Sequence, residues 1–464
     1  MYLTVKNQLR HLSAREFETL RTLCRLSKNL YNEALCSIRQ YFFAEREYLR
    51  YESNYHVCKD SQNYKALGTD IAQLTLKVAD RCFKSFFALI SKAKSGSYQF
   101  NMVRLPRYLD KEGWFSLIIP RIKIKDGAFA LPMSRDFKKE HGELRFAIPP
   151  NIAGKEIKEV RIHPRNHARF FEIEYVYEQP EVQADADTDK FLGVDLGLDN
   201  LASCVTSDGA SFIIDGRQIK SYNRLYNKEN ARLQSIKDKQ HIKGFTERQY
   251  HNLRKRNARI NYAMSTAARR IITYCIAHRI GNVVVGYNPD WKQSINLGTQ
   301  TNQNFVQIPH GLLRDKLKYL CKLYGIRYIE QEESYTSKAS FFDNDPLPVY
   351  NADNPQSYQF SGRRITRGQY RTAAGYILNA DINGALNILR KCKLVSLRVL
   401  QSRGCVSQPR RIRVFWSGST QVQTLGHNQP SPKAPPLGVG CLLMEKFHEL
   451  HFGNSQNSRD RRIR

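Results

Sequence analysis

The residues best equipped for chemistry lie in four short stretches where acids, amides and hydroxyls meet apolar runs. In FLGVDLGLDNLASCVTSDG (191–209), Phe191 to Val194 reads as an apolar strand, and Asp195 stands where that run meets Gly197. Asn200 to Val205 reads as the returning strand of a hairpin, ended by the turn Ser207-Asp208-Gly209. A carboxylate inside a buried hairpin is costly unless it holds a cation or a buried partner. The segment ESYTSKASFFDND (333–345) follows a strand, GIRYIEQE (325–332), and FSGRRITRGQY (360–370) precedes LNADINGALNILRK (378–391). In the last, Asn379 is placed to cap a helix whose first turns carry Asp381, Asn383, Gly384 and Ala385, with Ala385, Leu386, Ile388 and Leu389 turned to a sheet. Taken singly, each acid has a plainer reading. Asp195 would be a turn acid satisfied by backbone amides, and Asp381 a helix-start acid contributing roughly 0.3–1 kcal/mol.

The elements that must hold these residues follow from periodicity. Residues 1–12 read as a strand, and 13–99 as helices, with Leu20, Leu23, Leu26, Leu30 and Ala34 recurring at three and four. Over 100–180 the period falls to two in short runs broken by Gly, Pro and Asp. The expectation is a β-barrel made of 1–12 and 100–180, with the helices inserted into it. An acidic linker, 181–190, leads to an α/β domain over 191–393, inside which 217–280 is a basic helical insertion. Residues 394–464 lose periodicity and end in RDRRIR, so a basic, poorly ordered tail is expected. The fold class is therefore α+β and multidomain.

Composition narrows the partners. The 464 residues carry 73 Lys+Arg against 43 Asp+Glu, a net charge of +30, with 41% hydrophobic residues. Such a chain can bury cores and still attract polyanions, nucleic acid before an anionic membrane. It has no apolar run long enough to span a bilayer and no signal peptide at its start. The 10 Cys are scattered without a CxxC pair, which suits a reducing cytosol and argues against structural zinc.

The Asp195 hairpin suits two mounts: the first metal-binding acid of a ribonuclease H fold, or the phosphate-binding hairpin of an actin-like ATPase, for which no second Gly-rich hairpin is evident. The order of motifs separates them. GVDLGLDN, YTSK and NADINGALNILRK, with NVVVGYNPDWKQ (282–293), NQNFVQIPH (302–310) and FSGRRITRGQYR (360–371), closely resemble the TnpB proteins of bacterial insertion sequences. These are RNA-guided nucleases related to type V CRISPR effectors. The resemblance is dense over about 190–392 and thinner over 1–180. It implies a wedge-type barrel, a helical recognition region and an RNase H-like RuvC domain. It matches Asp195 to the first RuvC aspartate and Asp381 to the third-motif aspartate. The usual second acid departs from the pattern, because its strand position holds Gly286. The ESYTSKAS string resembles a branch with a relocated acid, for which Glu333 is preferred and Glu332 is the alternative. Where many members carry a zinc ribbon after YTS, Ser340 and Asp343 stand here. No ribbon zinc is expected, and Asp343 and Asp345 read as loop acids.

The implied activity is RNA-guided cleavage of double-stranded DNA next to a short target-adjacent motif, in the bacterial cytosol or nucleoid, with a guide RNA from the transposon end. Asp195, Glu333 and Asp381 would hold two Mg²⁺ ions, with Mn²⁺ able to substitute, for in-line phosphodiester hydrolysis. The basic residues expected at nucleic acid are Arg254, Lys255, Arg256 and Arg259 in the helical insertion and Arg363, Arg364, Arg367 and Arg371 before the last acid. A solvated helical hairpin is the plain alternative for the insertion. Gly286 keeps a nuclease-inactive RNA-guided repressor in view, and a DNA-strand transposase uses three acids on the same fold. The sequence leaves the oligomeric state open.

Overall fold

Spacing of three and four builds helices in the first part of the chain and spacing of two builds strands. The result is two units, 1–179 and 180–415, in a computed structural model describing residues 1–288, 308–351, 354 and 356–415. The first unit opens with β1 (Tyr2–Gln8). Helix α1 (Ala14–Glu45) then starts at a capping box, in which the Ser13 side chain accepts from the Glu16 amide and the Glu16 carboxylate answers the Ser13 amide. Its buried stripe runs from Leu20 through Leu23, Leu30 and Ala34 to Ile38. The helices α2 (Tyr51–Cys58), α3 (Gln62–Leu67) and α4 (Thr69–Lys94) follow, and α4 adds Ile71, Leu76, Ala79 and Phe83 to the same core.

Next come β2 (Leu117–Ile119), β3 (Ile124–Lys125), β4 (Ala128–Ala130), α5 (Arg135–His141), β5 (Arg145–Ala147), β6 (Ile157–Arg165) and β7 (Phe170–Glu178). The expected barrel is not one hydrogen-bonded ring. Its strands form an antiparallel sheet ordered β1-β7-β6-β2 and a separate sheet β3-β4-β5. Side chains rather than ladders join the two: the Tyr175 hydroxyl donates to Ala147 O at 3.1 Å, and its ring meets Phe129 edge-on.

The second unit contains β8 (Asp187–Asp195), β9 (Asn200–Thr206), β10 (Ser211–Asp215), α6 (Arg217–Lys239), α7 (Glu247–Ala277) and β11 (Ile280–Tyr287). It continues with α8 (His310–Leu323), β12 (Arg327–Glu332), β13 (Arg363–Thr366), β14 (Gln369–Arg371), β15 (Ile377–Asn379), α9 (Ala380–Cys392), α10 (Arg398–Arg403) and β16 (Arg410–Arg413). The main sheet runs β12-β11-β8-β9-β10-β16. Strands β8, β9 and β10 are an antiparallel meander, whereas β11 is parallel to β8 and β12 to β11. Helix α9 is buried from Ile382 to Leu389 and packs on this sheet. A second small sheet is ordered β13-β14-β15.

Two boundaries differ from the sequence expectation, and the helical insertion resolves into a pair of helices. The linker is shorter than 181–190, because Asp187 to Lys190 already belong to β8; their exposed polar side chains hide the strand from an apolar pattern. The 217–280 insertion is two antiparallel helices that part around Gly244, with Arg256 of α7 reaching Asn223 of α6 at 2.8 Å. The tail expected to be poorly ordered over 394–464 instead contributes α10 and β16, and β16 lies parallel to β10 at the sheet edge. Residues 416–464, and the parts of NVVVGYNPDWKQ and NQNFVQIPH within 289–307, lie outside the described residues. No described helix is long and apolar enough to cross a membrane.

Candidate functional site

Three acids of the second unit lie at one end of the main sheet. Asp195 ends β8, Glu333 follows the last residue of β12, and Asp381 lies in the first turn of α9. The helix start is fixed by Asn379, whose side chain accepts from the Asp381 and Ile382 amides at 3.0 and 3.2 Å. The tight approach of α9 to β8 depends on Gly384, where a methyl group would come within 2.6 Å of Asp195 Oδ2.

The Glu333 carboxylate lies over Gly286 of β11. A methyl group at 286 would overlap its Oε2 and come within 2.7 Å of Ile388 Cδ1. A side chain at 286 and the carboxylate of Glu333 therefore compete for one space. The room that a side chain on β11 would need at this position is filled from the neighbouring strand. Glu332, the alternative, is otherwise engaged. Lys391 Nζ lies 2.5 Å from its Oε2, and the Ser334 amide donates to its Oε1 at 2.6 Å. Burial pushes the Glu332 carboxyl up, but Lys391 and Ser334 outweigh it and hold the group below its ordinary value.

The electrostatics separate the two glutamates further. Burial and the charge of Glu332 push Glu333 to about 7, against the pull of Arg314 and Lys391. Asp195 is raised well above the usual carboxylate range by burial first, then by Glu333 and Asp381, with Arg364 opposing. Asp195 thus feels the charges of both Glu333 and Asp381, a condition under which a hard cation is favoured. Among the described residues, however, no three His, Cys, Asp or Glu side chains converge closely enough to enclose a metal. Asp381 is turned to other partners: Asn200 Nδ2 donates to its Oδ2 at 2.6 Å and Arg364 to its Oδ1 at 3.1 Å. The donor chemistry of three carboxylates fits Mg²⁺.

The loop after Glu333 is sewn to α9 by buried amides. Asn383 Nδ2 donates to Ala339 O at 2.8 Å and its Oδ1 accepts from the Phe341 amide at 3.1 Å; Asn387 Nδ2 donates to Thr336 O and Ala339 O at 2.9 and 2.7 Å. The asparagines of NADINGALN therefore hold the YTSKA turn in place. Where cysteines would be needed for a ribbon, aspartates gather backbone donors instead. Asp345 accepts from the Ser340 amide at 2.7 Å and from the Ser361 amide and hydroxyl, and Asp343 from the Ala373 amide at 2.8 Å. Asp345 is buried, so it is more than a solvated loop acid.

The expected basic residues fall into different classes. Lys255, Arg363 and Arg371 are exposed. Arg254 donates to His251 at 3.3 Å, and Arg259 stacks over Tyr222 at 4.4 Å. Arg256 is half-buried, bound to Asn223 and Asn257, and belongs to the packing between α6 and α7. Arg367 pairs with Asp199 at 2.6 Å, and Arg364 faces the acids themselves. Sequence reasoning passed over the partners of the cluster: Asn200, Arg314, Lys391 and Arg411. Of these, Asn200 lay in GVDLGLDN and Lys391 at the end of LNADINGALNILRK, whereas Arg314 and Arg411 lay in no quoted motif.

Known proteins resemble the chain along most of its length. A family described as a probable transposase, OrfB_IS605, matches residues 174–292, and the Cas12f1-like TNB domain matches 310–388. The TnpB-like protein ORF457 of Acidianus two-tailed virus is 25% identical over 405 residues, covering 80% of this chain and 83% of that protein. A solved structure titled as a Cas12f1–sgRNA–target DNA complex shares the fold with a TM-score of 0.53 at 13% identity, over 81% of this chain and 83% of that one.

Proposed function

As the chain belongs to the TnpB family, we propose that it is an RNA-guided endonuclease of an insertion sequence, cutting double-stranded DNA beside a short target-adjacent motif. The observation that carries this reading is the placement of Asp195, Glu333 and Asp381 at one end of a mixed six-stranded sheet, where the latter two act on the buried Asp195. A three-strand antiparallel meander flanked by two parallel strands supports reading that sheet as RNase H-like.

Asp195, Glu333 and Asp381 would hold the Mg²⁺ ions, which supply charge stabilisation for the attacking and leaving oxygens of phosphodiester hydrolysis. The chain's own residues do the rest. Asp195, raised by burial, Glu333 and Asp381, and Glu333, raised by burial and Glu332, must lose protons to act as ligands. Lys391 neutralises Glu332 and so leaves Glu333 as the acid facing the cluster. Arg364, now on Asp381 Oδ1, stands where a phosphate entering the site would find a guanidinium. The exposed Lys255, Arg363 and Arg371 supply charge for a guide RNA and target strand, whose base pairing would carry the sequence information.

The test is to co-express the protein with its flanking transposon-end sequence, sequence the RNA that co-purifies, and challenge the complex with a plasmid library in Mg²⁺. Asp195→Ala and Asp381→Ala are expected to abolish cleavage and to keep bound RNA. Wild-type cleavage by either variant sinks the assignment. Bound RNA with no cleavage by the wild type would favour an RNA-guided repressor.

A further inference from the structure

Beyond residue 393 the chain returns to the sheet and brings a cation toward the acid cluster. Parallel pairing of β16 with β10 sets Arg411 beside Ile213. From there Arg411 NH1 donates to Asn200 Oδ1 at 2.8 Å and lies 3.7 Å from Asp215 Oδ2. Asp215 is itself anchored by the Arg217 amide at 2.9 Å and the Arg217 guanidinium at 2.5 Å. Asn200 is only 8% exposed, so both ends of its amide depend on protein partners.

Those partners fix which way the amide points. A guanidinium has donors only and an ionised carboxylate acceptors only. With Oδ1 held by Arg411, Asn200 must turn Nδ2 to Asp381 Oδ2, where it donates at 2.6 Å. The flipped amide would set donor against donor at Arg411 and acceptor against acceptor at Asp381. We infer that Arg411 is a positioning residue: through Asn200 it ties down Oδ2 of Asp381 and leaves Oδ1, the oxygen now touched by Arg364, as the one presented to a hard cation. Residue 411 lies outside both matched stretches, 174–292 and 310–388. The inference rests on reading Asp381 as a metal ligand.

The experiment uses the full chain with its co-purified guide RNA and compares Arg411→Met, Arg411→Lys and Asn200→Ala with Asp381→Ala. Three quantities are read: Mn²⁺ binding by calorimetry, the Mg²⁺ concentration giving half-maximal cleavage, and the melting temperature. The Asp381→Ala complex sets the RNA background for Mn²⁺. Arg411→Met and Asn200→Ala are expected to weaken Mn²⁺ binding and raise the half-maximal Mg²⁺ by about 10-fold, at the low end of the range for residues that orient a ligand. Cleavage at saturating Mg²⁺ should survive in both, and Arg411→Lys, which keeps a donor, should recover part of the loss. Asn200→Ala leaves the Arg411–Asp215 pair in place and decides the matter if Arg411→Met melts early. Wild-type Mn²⁺ binding by Asn200→Ala, beside loss in Asp381→Ala, overturns the inference. Wild-type Mn²⁺ binding and cleavage by Asp381→Ala overturns the reading of the site itself.

Discussion

Replacing Gly286 with Ala tests whether the acid of this site has moved from one strand to its neighbour. The added methyl would overlap the Glu333 carboxylate and press to 2.7 Å on Ile388 Cδ1, where ordinary contact is about 3.4–4 Å. Overpacking of this kind costs roughly 1–3 kcal/mol, and each kcal/mol lowers the melting temperature of a unit this size by roughly 2–4 °C. The carboxylate is the softer obstacle, so it moves, and cleavage falls with it. Removing Glu333 outright should cost several kcal/mol of barrier, or about 10²–10³-fold at 1.36 kcal/mol per decade. The two effects are coupled, since Glu333→Ala takes away the atom that the new methyl strikes. Gly286→Ala should therefore destabilise the Glu333→Ala background less than the wild type, leaving only the clash with Ile388. A carboxyl group carried one bond beyond the same methyl falls in the space Glu333 occupies, so Gly286→Asp combined with Glu333→Gly should regain cleavage over either single variant. Melting curves and single-turnover cleavage of a guided target supply the readings. Equal destabilisation in both backgrounds, together with wild-type cleavage by Gly286→Ala, would refute the reasoning.

The remaining expectations follow from other parts of the site. Burial and Glu332 raise Glu333 from 4.5 to about 7, so between those values the native state holds a proton that the unfolded chain has lost. In EDTA its contribution to stability is present below about pH 4.5 and is lost as pH rises toward 7. Melting temperatures taken across that window should fall less steeply for Glu333→Gln, and identical slopes would contradict the shift. For the same reason Mg²⁺ should stabilise the protein more at pH 7.5 than at pH 5.5, readable as the difference in melting temperature with and without the ion. Asn387→Ala leaves the Thr336 carbonyl without its donor and the Ala339 carbonyl with Asn383 alone. It should cost about 1–3 kcal/mol by chemical denaturation; no loss would show the turn to be held elsewhere. Lys255→Ala should lower the salt dependence of duplex DNA binding by about one phosphate contact, near 0.9 in the log–log slope, and leave melting unchanged. Arg256→Ala should do the reverse, because that side chain packs onto Asn223.

What was legible in the sequence was what is local. The Asp195 hairpin, the Asn379 cap and the buried face of α9 are each written within twenty consecutive residues, where spacing and capping chemistry decide the structure. The partners of β16 lie some two hundred positions away, and its RRIR gives no apolar alternation, so a tail was the natural expectation. Asp187 to Lys190 were read as linker for the same reason, since a strand with exposed polar side chains carries no periodic signal. The break between α6 and α7 was hidden because its turn is as polar as the helices beside it. The role of Gly286 became intelligible only once Glu333 was seen above it, because an empty place and a reserved place look alike in sequence. Asp345 was underrated because its donors come from Ser340 and Ser361, at opposite ends of a loop.

The order of the acids along the chain has a bearing on biosynthesis. Asp195 leaves the ribosome long before Asp381, and at about 5–20 residues per second the interval is roughly 10–40 s. For that time β8 and β9 can pair as a hairpin, while the edge of β8 that will take β11 stays open for about the first half of it. Arg411, on the far strand β16, emerges later still. A nascent chain therefore holds only part of its cluster until synthesis is well advanced, which delays the appearance of any cutting activity beside its own transcript and template.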